Sequence, residues 1–167
     1  MADPRTLARV GAAAVAAIAL AGPLVGMFEG RVFHTYPDVV HGWKVPTACD
    51  GHTGPELRRG QRFTSAECDE MRAVDLRLTF DQLAPCMDLA LPPNELAAYL
   101  SLAFNVGAGA VCRSSIPVKI AAGNRAAACA TITQFYLAGG LDCRDPANNC
   151  MGIPRRRAAE RDLCETP

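Results

Sequence analysis

The chain has no excess of charge of either sign. Its 17 Lys+Arg residues balance 17 Asp+Glu residues, for a net charge of zero and a pI near 6.8. A nucleic-acid binder would normally show a basic surplus, so that class is excluded. Lysine occurs only at Lys44 and Lys119, which leaves arginine to supply the positive charge. Aromatic residues make up 6% of the chain, and tryptophan occurs once, at Trp43. There is no CxxC pair and no HExxH motif, which argues against a zinc knuckle, a thioredoxin-like redox site and a zinc protease. His34, His41 and His52 lie in a turn-rich stretch without ligand spacing, and no metal or cofactor is expected. Neither internal repeats nor alternating strand and helix patterns occur, so a solenoid or a parallel α/β sheet is a poor fit. At 167 residues the chain has room for one ordinary domain with a sizeable core.

What the chain does have is cysteine. Cys49, Cys68, Cys86, Cys112, Cys129, Cys143, Cys150 and Cys164 form an even set, as full pairing in an oxidising compartment requires. Cys143 and Cys150 bracket Arg-Asp-Pro-Ala-Asn-Asn, a polar turn-forming loop, and are expected to pair. Spacing does not select the other partners. A thiol nucleophile at Cys49 beside His52 is disfavoured, because an exported protein more often holds such a cysteine in a disulfide.

The second feature is a run of nineteen residues, Val10 to Phe28, without a charge. As a helix it would reach roughly 28 Å, about the thickness of a bilayer's hydrocarbon core. Seven of these residues are alanine and three are glycine, so the segment gains little from entering lipid. Pro23 is expected to kink or stop it. Arg5 and Arg9 precede it, which predicts the N-terminus inside and the bulk of the chain outside. Three readings remain open at this point: an uncleaved, marginal membrane anchor; a signal peptide cut after Ala19-Leu20-Ala21; and a buried helix of a soluble protein.

Beyond the run, Phe28 to Phe33 is expected to prolong the helix by a turn. Short alternating pieces between Thr35 and Gly54, among them Val39-Val40 and Trp43-Lys44-Val45, predict a small sheet or hairpin. Thr64 with Glu67 fits a capping box opening a helix on which Met71, Val74, Leu78 and Leu83 recur. Further helices are predicted from Pro93, over Ile116 to Ala122, over Ala126 to Leu137 and over Arg155 to Leu163. The fold class is therefore α+β: mostly helical, with one small β element near the N-terminus, preceded by the apolar segment.

Among the polar residues, Glu29 follows the apolar run directly, Asp38 lies nine residues on, and Thr47 nine further. A carboxylic acid, a carboxylate and a hydroxyl around one gap can hydrolyse a glycosidic bond. The acid protonates the leaving oxygen while the other two hold and activate water. Spacing alone also permits a solvent-facing Glu29 and a turn-forming Asp38.

Several dispersed stretches carry a resemblance. Phe28-Glu29-Gly30, Tyr36-Pro37-Asp38-Val39-Val40 and Val45-Pro46-Thr47-Ala48-Cys49-Asp50-Gly51-His52-Thr53-Gly54 resemble the active-site region of the phage-type lysozymes, glycoside hydrolase family 24. Ala103-Phe104-Asn105-Val106-Gly107-Ala108-Gly109 is similar to the family's mid-chain motif, and Ile153 to Arg161 to its closing helix. The resemblance implies a lysozyme-like fold and cleavage of the β-1,4 bond between N-acetylmuramic acid and N-acetylglucosamine in peptidoglycan. By position it implies Glu29 as general acid, Asp38 as the carboxylate that orients water, and Thr47 as the catalytic threonine. It further implies Arg156 as partner of the acid, Asn105 on the cleft floor or hinge, and His52 lining the same region. The family's threonine lies six residues after its aspartate, so about three residues are inserted here around His41 to Lys44. Thr53 is the alternative hydroxyl, and Asp50 replaces the usual aromatic, which is expected to change the charge at the cleft edge.

The apolar run ending one residue before the acid is similar in layout to the signal-arrest-release endolysins. That likeness implies an arrest segment over residues 1–28 and a catalytic domain over 29–167. It implies a protein held inactive in the host inner membrane through residues 10–28, then released to the periplasm as a monomer that lyses the cell. With no cysteine in the segment, activation by thiol exchange within it is excluded. A non-catalytic peptidoglycan-binding protein of the same fold is the alternative that the altered spacing keeps open.

Overall fold

A computed structural model describes residues 4–39 and 41–166, with side chains from Gly11 onward. Val40 and the side chains of Arg5 and Arg9, on which the predicted orientation rests, lie outside the described residues. The element order is α1 (Pro4–Phe28), β1 (Val32–Asp38), β2 (Gly42–Cys49), β3 (His52–Thr53), α2 (Ser65–Leu83), α3 (Pro93–Val106), α4 (Ala108–Cys112), α5 (Ile116–Ala121), α6 (Arg125–Thr131), β4 (Leu137–Ala138), β5 (Leu141–Asp142) and α7 (Gly152–Glu165).

α3 is the hub. Every residue from Glu95 to Ala103 is buried, the mark of a helix enclosed on all sides. α1 lies against it through Ala14, Ala17, Ala21 and Val25, all fully buried. Their spacing of three or four places them on one helix face, and their small size lets the two helices approach closely. α2 adds Leu76, Phe80 and Leu83 to the same core. The apolar segment is thus docked on the body, and Pro23 sits inside a continuous helix. Its outer face remains greasy: Val15 and Met27 are 68% and 74% exposed. By length and composition Gly11–Phe28 is also sufficient to cross a membrane.

β1, β2 and β3 form an antiparallel sheet beside the end of α1. α1 stops at Phe28, not Phe33, because Gly30 breaks it and β1 takes over at Val32. A second correction concerns the segment read as helix to Leu137. α6 ends at Thr131, and Leu137–Asp142 forms a two-stranded hairpin. Its turn is Gly139-Gly140, both at positive φ, the backbone a two-residue hairpin loop demands. The capping box at Thr64 is present, with Glu67 N donating to the Thr64 hydroxyl and Thr64 N donating to the Glu67 carboxylate.

All eight cysteines are paired: Cys49–Cys68, Cys86–Cys112, Cys129–Cys164 and Cys143–Cys150. Each bond joins parts of the chain beyond α1. The staples constrain the body, and no disulfide ties the apolar helix to it.

Candidate active site

Glu29 leaves the C-terminal end of α1, with its amide donating to Val25 O at 3.0 Å. Its carboxylate reaches across to α7, where Arg156 Nη1 donates to Oε1 at 2.6 Å. Arg156 is buried and held from every side. Nε donates to Glu160 Oε1 at 3.1 Å, Nη2 to Ser101 O at 3.4 Å, and the Phe28 ring lies under the guanidinium at 5.9 Å. Glu160, fully buried, also accepts from Ser101 Oγ at 2.7 Å and from Arg157 Nη1 at 2.6 Å. Arg157 in turn donates to Asn105 Oδ1. One buried carboxylate therefore positions two arginines, one directed at Glu29 and the other at Asn105. Burial pushes the Glu160 carboxyl up and the Arg157 guanidinium down from their ordinary values, while their mutual attraction opposes both shifts.

Glu29 and Asn105 share the wall of an open cavity of about 360 Å³ with Asp50, Gly51, Thr53, Asp75 and Phe104. The hairpin carries the other two predicted residues, Thr47 and Asp38, neither of which lines this cavity. Thr47 lies on β2 opposite Tyr36 of β1 and opposite Thr53 of β3. It is buried, and its hydroxyl donates to Val45 O at 3.3 Å. Thr53, its cross-strand neighbour, is the threonine that lines the Glu29 cavity. Asp38 closes β1. Its Oδ1 accepts from His41 N at 2.7 Å and lies 2.9 Å from His41 Nδ1. Tyr36 pairs with Thr47 across the β1–β2 ladder. Burial, then the charges of Glu29, Asp38 and Asp50, push its phenol up from the usual value.

The stretch expected to carry the insertion forms a bulge in β2. Pro37 pairs with Pro46, but the next residue, Asp38, pairs with Gly42. Trp43, Lys44 and Val45 are left as extra residues on β2, while Thr47 keeps its partner Tyr36. The irregularity thus ends before it reaches the threonine.

Asp50 is not a free charge at the cleft edge. Arg31 grips it through Nε at 2.9 Å and Nη2 at 2.7 Å, and Arg72 Nη1 adds a bond at 2.9 Å. Asp69 bridges both arginines at 2.8 Å. A Cβ added to Gly26 of α1 would lie 2.5 Å from Arg72 Nη1, so this glycine makes room for the network where α1 docks.

His52 does not line the Glu29 cavity. It is buried, with Nδ1 2.9 Å from Asp75 and Nε2 2.6 Å from Glu56, and it joins the sheet to α2. Burial lowers its basicity, but Glu56 and Asp75 outweigh this and hold it above the ordinary histidine range. A raised folded-state value contributes stability that is full below about pH 6.5 and is lost as pH rises through that value. The thermal midpoint is therefore expected to be lower at pH 8.5 than at pH 6. In His52→Asn that difference should shrink, as scanning calorimetry at the two pH values would record. Among the described residues no three His, Cys, Asp or Glu side chains gather as a metal site. Sequence reasoning missed Glu160, although its offsets of four and three from Arg156 and Arg157 on one helix were readable.

Comparison with known proteins gives concordant matches. The family profile described as phage lysozyme matches residues 26–160. The chain is 33% identical over 155 residues to the SAR-endolysin of Enterobacteria phage P21, covering 92% of this chain and 88% of that protein. A crystal structure of a P22 lysozyme mutant superimposes with a TM-score of 0.74 at 25% identity, over 87% of this chain and 95% of that one. The crystal structure of the active form of the P1 phage endolysin Lyz gives a TM-score of 0.66 at 24% identity, over 86% and 82% of the two chains.

Proposed function

The chain belongs to the phage lysozyme family, and from that membership we propose how its residues divide the work of a muramidase and how its N-terminal helix controls them. The protein is an endolysin that hydrolyses the glycan of bacterial peptidoglycan. The bond cut is the β-1,4 link between N-acetylmuramic acid and N-acetylglucosamine. Glu29 is the general acid: it gives its proton to the leaving oxygen as the glycosidic bond breaks. Asp38 orients the attacking water and takes its proton, and Thr47 helps to hold that water against the sugar's reacting carbon. Arg156 fixes the direction of the Glu29 carboxyl and stabilises the carboxylate left after proton transfer. Asn105 steadies the opposite wall, and His52 supports the sheet that carries Thr47. The single observation that carries this reading is the placement of Glu29 on an open cavity wall, gripped by a buried arginine on the family's closing helix.

The same geometry couples activity to the apolar helix. Residues 1–28 act as an arrest segment in the host inner membrane, and 29–167 carry the catalytic machinery. Glu29 meets Arg156 and Gly26 admits Arg72 only once α1 has left the lipid and packed on α3. The periplasmic, released form is the active one.

Leucine at Ala12 and Ala19 tests this. Both alanines face outward on the docked helix, so the change adds lipid affinity without overfilling the core. Each replacement adds about 2 kcal/mol of apolar transfer energy. The double variant is expected to stay in the membrane fraction of expressing cells and to delay lysis. After detergent extraction it should clear a peptidoglycan gel as the parent does. A variant that is soluble and lyses on schedule contradicts release. A parent extract that clears nothing contradicts hydrolysis.

A further inference from the structure

The bulge in β2 builds a second wall that the cleavage machinery leaves unused. Trp43, Lys44 and Val45, together with Pro46, Thr53 and Arg58, line a cavity of about 480 Å³. Thr53 borders both this cavity and the one holding Glu29, so the two adjoin. Trp43 is 39% exposed, and the Arg59 guanidinium packs over its ring at 4.8 Å, which steadies an indole that would otherwise swing freely. The Lys44 ammonium has no partner among the described residues. Arg58 is tethered to the backbone, with Nη1 donating to Leu57 O at 2.9 Å and to Pro55 O. The charge of this region is therefore basic, whereas the adjoining wall carries Glu29, Asp50 and Asp75.

We propose that this bulge is an additional glycan subsite. In it Trp43 stacks on a sugar ring of the strand beyond the bond being cut, and Lys44 with Arg58 receives a carboxylate carried by the strand. The inference rests on the muramidase reading for the identity of the polymer. A pyranose ring presents a face of C–H groups, weakly positive and apolar, which suits the negative face of an indole. Peptidoglycan alternates neutral sugars with sugars bearing a lactyl group, whose carboxyl carries the peptide stem and its terminal carboxylates. An aromatic platform beside an ammonium fits that alternation. Because the bulge restores register at Pro46, it adds this surface without displacing Thr47.

Trp43 is the chain's one tryptophan, so its fluorescence reports the subsite directly. The probe is purified glycan fragments of graded length bearing lactyl or peptide carboxylates, titrated into full-length Glu29→Gln so that the ligand is not consumed. Long fragments are expected to give a saturable emission change, and a disaccharide none. In the otherwise native enzyme, Trp43→Ala should raise KM for long strands about 3–10-fold with kcat unchanged. Lys44→Ala should raise KM in a salt-dependent way. Flat emission at concentrations that saturate hydrolysis by the parent, or an unaltered KM in Trp43→Ala, overturns the subsite and leaves the muramidase reading intact. An emission change with a parent that cuts nothing overturns the muramidase reading and leaves the binding surface standing.

Discussion

Replacing Glu160 with glutamine is expected to lower stability by about 3–5 kcal/mol, the usual cost of removing one partner from a buried ion pair. Glutamine preserves the shape but not the charge, so two arginines would remain buried without their shared counter-ion. Arg156 and Arg157 are 3% and 1% exposed, and Arg157 Nε already lacks a partner. Water is not available to replace the carboxylate. Glu160 also accepts from Ser101 Oγ and thereby links α7 to α3, the hub of the core. For a chain of this size the loss corresponds to a fall of roughly 6–20 °C in the thermal midpoint. A surface pair on the same helix supplies the control. Arg161 and Glu165 are both about two-fifths exposed, and their bond at 2.8 Å is screened by solvent. Arg161→Ala should change stability by less than about 1 kcal/mol. Denaturant titration of both variants distinguishes a buried counter-ion from a peripheral one. Similar midpoints for the two would show that α7 tolerates an unpaired arginine.

That contrast also shows which parts of the molecule were readable in the sequence. Local chemistry was: Thr64 with Glu67 caps α2, and the loop between Cys143 and Cys150 is stapled as its turn residues imply. The pairing of Arg156 with Glu29 spans 127 positions, and only the resemblance of two distant motifs brought it into view. The place of the β1–β2 irregularity, near His41 to Lys44, was legible through the resemblance. Its form was not, since a bulge depends on where the β1–β2 ladder regains register. Asp50 reads in sequence as an extra negative charge at the cleft edge, yet Arg31 and Arg72 converge on it from elements that no spacing rule connects. His52, placed in sequence beside the cleft, is drawn into the sheet–helix junction by Asp75 and Glu56. Ala126 to Leu137 is apolar enough to satisfy either pattern, so it reads as one helix where the structure has α6 followed by the Gly139-Gly140 hairpin.

The docked apolar helix joins these levels. Alanines at 14, 17 and 21 weaken it as a membrane span and allow it to pack on α3. The same residues therefore give the segment little affinity for lipid and complete the core. The docked helix ends one residue before Glu29, so in the proposed release the docking of α1 and the placement of that carboxyl group beside Arg156 would be one event.

Glu29→Gln carries the largest expected effect. Glutamine can accept from Arg156 as the carboxylate does, but it has no proton to give to a leaving oxygen. Loss of a general acid lowers the rate by about 10²–10⁴-fold. Glu29 is one-quarter exposed and Arg156 keeps Glu160, so the fold should be nearly undisturbed. The decisive measurement is the rate at which detergent-extracted parent and Glu29→Gln solubilise purified peptidoglycan, with thermal midpoints recorded for both. The account predicts a loss of at least about a hundredfold at matched midpoints. Solubilisation by the glutamine variant at the parent's rate would contradict it.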